Sequence, residues 1–234
     1  MNRLLARVRR TRRDDAGVTL AELSVTMLIM GILISLVAVV VVQAYKLQGQ
    51  TIRRENDTTD AQIAMDTMSR ALRMATYLQD PSVTSSTGDP VTLPAFSQTT
   101  ASAITFTSLV GSAADPTSVS AAADPVRITF SLSGGVLSQT TVRPLTAGQA
   151  LKSTFGTTGS TRVIARGVTS SSSAPLFQFL YKQADGTVST AVPSGSPALA
   201  IRQVRIRLTV DSDSTGQLPG TSLDATVVNQ NLAD

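Results

Sequence analysis

Residues Gly17–Val42 read GVTLAELSVTMLIMGILISLVAVVVV. From Leu23 to Val42 the stretch holds 20 uncharged residues in succession. Wound as a helix at about 1.5 Å per residue, they span about 30 Å, the hydrocarbon thickness of a bilayer. A soluble core helix seldom carries so long an apolar run. Just before it stand Arg3, Arg7, Arg9, Arg10, Arg12 and Arg13. By the positive-inside rule, this cluster keeps the N-terminus in the cytoplasm and sends the rest of the chain across. The expectation is a single-pass protein with an exported C-terminal part.

Glu22 is the one charge between Val18 and Val42, and it is the residue that a plain signal anchor leaves unexplained. A carboxylate in an apolar helix is costly and needs a partner. Cleavage as a secretory signal is a competing reading, because Val42-Gln43-Ala44 offers a small-x-small site that would leave Tyr45 first. The apolar run is too long for it, since signal h-regions cover about 7–15 residues.

Gly17-Val18-Thr19-Leu20-Ala21-Glu22, with its basic leader and apolar continuation, resembles the class III signal of type IV pilins and pseudopilins. The resemblance implies a prepilin peptidase that cuts between Gly17 and Val18 and methylates the new amine of Val18. It makes Glu22 the family's assembly glutamate, with Thr19 and Leu20 matching the usual Thr-Leu. Val18 stands where the family usually has Phe, and the family's mid-helix proline is missing, Pro81 being the first proline here. The physical logic agrees with the implied role. After cleavage Glu22 lies four residues from a cationic amine, at a helix end whose dipole favours an anion. Beside another subunit, the carboxylate can meet the neighbour's ammonium in a low-dielectric setting where the attraction is strong. The implied partners are prepilin peptidase, other pilin or pseudopilin subunits and the cytoplasmic membrane. The implied destination is a pilus or pseudopilus.

Composition narrows the alternatives. The chain has 234 residues, 15% charged and 4% aromatic, and lacks His, Cys and Trp. Imidazole and thiolate catalysis and Cys-based zinc sites are therefore excluded. Lysines number only Lys46, Lys152 and Lys182, and glutamates only Glu22 and Glu55. The expectation is a non-enzyme without cofactors. Net charge is +4, but the leader holds six of the 20 basic and two of the 16 acidic residues, so the remainder balances at 14 of each. A nucleic-acid-binding body would carry a basic surplus, and nucleic acid is not predicted as a direct partner.

Four segments are expected: a leader over 1–17, a transmembrane and assembly helix over 18–42, a helical stem and amphipathic helix over 43–80, and an exported β-rich domain with Ser/Thr-rich loops over 81–234. In the stem, Ala61, Met65, Met68, Leu72, Ala75 and Leu78 recur at helical spacing, and Asp80-Pro81 is read as the stop. Val126–Leu132 alternates apolar with polar residues, and Gly134-Gly135 offers a hairpin turn into Val136–Arg143. Leu176–Lys182 and Thr187–Val192 flank an Asp185-Gly186 turn. Val204–Val210 alternates cleanly, and further strands are expected over Ala103–Leu109, Arg162–Val168 and Ser222–Val228. Pro81–Ser102, Ser112–Asp124, Ser153–Thr161 and Ser170–Ser173 read as loops. The fold class is α+β, a long N-terminal helix packed on an antiparallel β-sheet domain, pilin-like in architecture. Size and strand content resemble the larger minor subunits of the family, such as the J-type pseudopilin, whose closing pattern Val204–Val210 and Asn229-Gln230-Asn231 loosely match.

Two further patterns carry weaker chemistry. Asp211-Ser-Asp213-Ser-Thr215-Gly216 resembles the start of a calcium loop, but Ser222 stands where the bidentate Glu belongs. It also follows a strand as a haloacid-dehalogenase nucleophile would, without the downstream lysine that chemistry needs. Arg205 and Arg207 are expected on an exposed strand face that discourages edge pairing. Against the assembly reading stands an uncleaved, membrane-anchored surface protein whose β domain binds a ligand.

Overall fold

The computed structural model describes residues 19–84, 90–109, 125–145, 154–193, 197–211 and 220–232. The leader, Gly17 and Val18, Asp213 and the loop expected over 112–124 lie outside the described residues. Two compact units divide between Thr51 and Ile52.

One helix, α1, runs from Leu20 to Arg73. In the first unit it is an apolar helix with exposed side chains. Its large hydrophobic side chains from Leu20 to Val42 range from 44% exposed at Val41 to 83% at Leu20. Polar side chains inside this run satisfy themselves locally. Ser24, Thr26 and Ser35 each donate to a carbonyl three or four residues back, the habit that lets hydroxyls sit in an apolar helix.

In the second unit, α1 buries Ala61, Ala64, Met68, Ala71 and Leu72, a stripe at spacings of three and four. Ala64 and Ala71 join the expected residues, while Met65 is only partly buried. The helix ends at Arg73, short of the expected Asp80-Pro81 stop. The chain is captured there by a sheet. Thr76 N–H donates to Thr107 O, Leu109 N–H to Met74 O, and Ala75 bridges Ser108. The Ser108 hydroxyl completes the junction by donating to Ala71 O at 2.9 Å. Ala75 and Leu78 are buried as predicted, but from extended backbone.

Twelve strands follow among the described residues: β1 Leu78–Thr84, β2 Pro90–Leu93, β3 Phe96–Thr99, β4 Ala103–Ser108, β5 Val126–Ser133, β6 Val136–Val142, β7 Ser160–Arg166, β8 Val168–Thr169, β9 Phe177–Lys182, β10 Val188–Ser189, β11 Ile201–Val210 and β12 Thr221–Val228. A one-turn helix, α2 (Pro197–Ala200), precedes β11, and a 3₁₀ turn over Gln230–Leu232 follows β12. The first sheet has the order β3-β4-β5-β6-β7. The second has the order β10-β9-β11-β12, with β8 also on β11, and β1-β2 form a separate ribbon. All pairings are antiparallel.

Strands β1, β2 and β3 correct the reading of 81–102 as a loop. Only Phe96 is buried in β3, so the segment has no alternation to detect; its pairing with β4 creates it. The return strand expected over Thr187–Val192 shortens to the two residues of β10. The hairpin at Gly134-Gly135 forms as predicted, with φ of +56° and +74°, the left-handed values a two-residue hairpin turn demands and glycine supplies cheaply.

One core joins the helix to both sheets. Phe96, Ile104, Phe106, Ile128, Phe130 and Leu137 come from the first, and Phe177, Val204, Ile206, Leu208 and Val227 from the second. Phe106 stands between Phe96 and Phe130, at ring-centroid distances of 5.9 and 6.0 Å. The alternation along β5 and β11 puts their apolar residues inward, as read from sequence. Gly167 carries the chain from β7 to β8 and so from one sheet to the other. Its carbonyl accepts from Asp211 N–H beyond β11, while Val168 N–H donates to Gly135 O at the hairpin.

Candidate processing and assembly site

The site is built by the way α1 begins. Thr19 is the N-cap. Its carbonyl accepts the first helical bond from Leu23 N–H at 3.1 Å, and its hydroxyl accepts from Glu22 N–H at 3.2 Å. The same hydroxyl lies 3.5 Å from Glu22 Oε2, to which it donates a long hydrogen bond. Thr-x-x-Glu is the capping-box sequence, in which the first and fourth residues satisfy the orphan amides of the first turn. Thr19 and Glu22, singled out as assembly residues, are thus brought together by local geometry. The T-x-x-E spacing was the signal for this cap, and the reading of the segment as membrane span and processing signal passed over it.

Leu20 opens the helix at 83% exposure. Glu22 is exposed on the same turn, where the unpaired amides and the helix dipole favour its negative charge. The arrangement offers a fixed carboxylate at the head of an exposed apolar helix. Chemically it can hold a cation.

The weaker candidates fall elsewhere. Asp211 is half-buried just past β11, where its backbone is tied to Gly167 at 2.8 Å. Among the described residues no three of His, Cys, Asp and Glu gather in a way that could hold a metal. Arg205 and Arg207 do lie on an exposed face, but β11 is an inner strand between β9 and β12, so they guard no edge. Their partner is Asp224 of β12. Arg205 donates to both of its carboxylate oxygens, at 2.9 Å (Nε to Oδ1) and 2.6 Å (Nη2 to Oδ2), and Arg207 Nε lies 3.3 Å from Oδ2. The Arg205 guanidinium holds the Asp224 carboxyl below its ordinary range, with Arg207 assisting. In the closing segment, Asn229 is buried with neither its amide oxygen nor its amide nitrogen partnered.

Comparison with known proteins bears on the N-terminal segment. The model of the prokaryotic N-terminal methylation motif matches residues 12–38. This interval contains Gly17, Val18, the Thr19–Glu22 cap and most of the apolar run. The chain therefore carries a prokaryotic N-terminal methylation motif over its first segment. No curated protein matches the chain. Among solved structures, the GspK-GspI-GspJ complex from the enterotoxigenic Escherichia coli type 2 secretion system aligns over 74% of this chain and 97% of that one. Identity there is 10% and the TM-score 0.43.

Proposed function

We propose that this protein is a structural, pilin-like minor subunit of a type IV pilus or type II secretion pseudopilus. Prepilin peptidase cuts it between Gly17 and Val18, Val18 is N-methylated, and the subunit is drawn from the cytoplasmic membrane into a fibre with other pilin or pseudopilin subunits. The observation that supports this reading is the methylation motif over residues 12–38 together with the capped, exposed apolar helix that it overlaps. Removing the leader deletes six arginines that would resist withdrawal from the membrane. It also creates an ammonium beside the Thr19–Glu22 turn. In a bundle of such helices, Glu22 of one subunit pairs with the amine of the next, which fixes their axial register.

Mass spectrometry of the N-terminus of membrane-derived protein tests the proposal. Methylated Val18 is expected. An intact Met1 indicates the uncleaved surface anchor with a ligand-binding β domain, and Tyr45 a secreted soluble domain. A bulky residue at Gly17, as in Gly17→Val, is expected to leave the precursor uncut. Glu22→Gln keeps the backbone bond to the Thr19 hydroxyl and the size of the side chain but removes the charge. It is expected to be cleaved normally and to enter fibres poorly; unchanged incorporation would remove the pairing argument.

A further inference from the structure

Charge beyond the leader balances overall yet is unevenly divided. From Pro125 to Ala184 the sequence contains Arg127, Arg143, Lys152, Arg162, Arg166 and Lys182 and no Asp or Glu. Strands β5, β6 and β7 belong to this stretch, so that half of the first sheet brings cations without carboxylates of its own. Such a surface attracts anions over distances longer than a contact.

A cleft of about 430 Å³ opens between the end of β6 and the start of β7, lined by Thr141, Arg143, Thr158, Gly159 and Ser160. Thr141 and Ser160 are register partners. The close approach at Gly159 holds the walls together: a Cβ there would lie 2.8 Å from both Thr141 O and Val142 Cγ2. One step along β7, Arg162 donates twice to Gln139 Oε1, at 3.0 and 2.8 Å. The buried Gln139 in turn donates through Nε2 to Thr141 Oγ1 at 3.4 Å. The Arg162 charge is thus met by a neutral amide, and Arg143 has no hydrogen-bond or ion-pair partner among the described residues. Arg127, behind the same strands, stacks over Phe155 at 4.6 Å. The cleft therefore combines an unpaired guanidinium, three hydroxyls and a second cation beside it, with no carboxylate among the described residues that line it.

We propose that this cleft binds an oxyanion carried on a sugar-sized ligand, a sugar acid or sugar phosphate, either free or as a unit of an anionic polysaccharide. Arg143 holds the carboxylate or phosphate through paired donors, and Thr141, Thr158 and Ser160 hydrogen-bond the ligand's hydroxyls. The volume suits a small ligand rather than a bare ion. This site is independent of the N-terminal motif and of whether the leader is cut.

The test is calorimetric titration of the full chain in detergent with glucuronate, glucose 6-phosphate, glucose, inorganic phosphate, and polygalacturonate beside its monomer galacturonate. Saturable binding of glucuronate or glucose 6-phosphate is expected, with glucose and inorganic phosphate at least tenfold weaker. Arg143→Gln should weaken binding at least tenfold, and Arg143→Lys less. Arg70→Gln, on the exposed helix, should leave it unchanged. Polygalacturonate binding tighter per sugar than the monomer indicates a polymer as the source, and equal affinity per sugar a free ligand. No saturable binding, equal affinity for glucose or for inorganic phosphate, or an unaffected Arg143→Gln variant overturns the proposal.

Discussion

At Thr19 a single hydroxyl accepts from the Glu22 amide and faces the Glu22 carboxylate, so the residue that starts the helix also orients the charge that follows. Losing an N-cap side chain costs about 1 kcal/mol. Thr19→Val, nearly the same shape, is expected to fray the first turn, seen as faster amide exchange at Glu22 and Leu23, and Thr19→Ser to restore protection. Asp224 gives a prediction in pH. Its folded-state pKa is lowered, with the Arg205 hydrogen bonds the largest cause, so its contribution is present above the ordinary carboxylate pKa, about 3.9. It is lost as pH falls through the lower folded value. The pair is well exposed, at 42% and 38%, and its contribution is correspondingly small. Asp224→Asn should lower the melting temperature slightly at pH 6, and the difference from wild type should shrink below about pH 4.

Among the elements, what was legible followed from periodicity. The strands β5, β6, β9, β11 and β12 and the turn at Gly134-Gly135 carry their own signals, because one face of each strand is buried and glycine fits the left-handed turn. The end of α1 carried none. Residues after Arg73 suit a helix as far as Asp80, and only the hydrogen bonds offered by β4 draw them out of it. Ala64 and Ala71 were missed because alanine weighs little in an apolar pattern, although their small side chains let the helix backbone come close to the sheets. The loop reading of 81–102 failed on composition, since Ser and Thr serve edge strands as readily as loops. Met68 marks the centre of the helix contact at 0% exposure. Met68→Ala should cost about 2–5 kcal/mol in chemical denaturation of the purified chain. Ile63→Ala, at a side chain 57% exposed, should change stability by less than about 0.5 kcal/mol.

On the scale of the whole molecule, the candidate site was readable because its residues are adjacent in sequence, so that glycine, carboxylate and apolar run declare themselves without tertiary structure. The cationic cleft was not, because its lining comes from two strands and the loop between them, and the zero net charge of the chain beyond the leader concealed the uneven division.

The stitched junction at Met74–Thr76 has a mechanical consequence. Tension on a fibre would reach this subunit through its helix, and the first structure to feel the pull is the set of hydrogen bonds joining the helix end to the rim of β4.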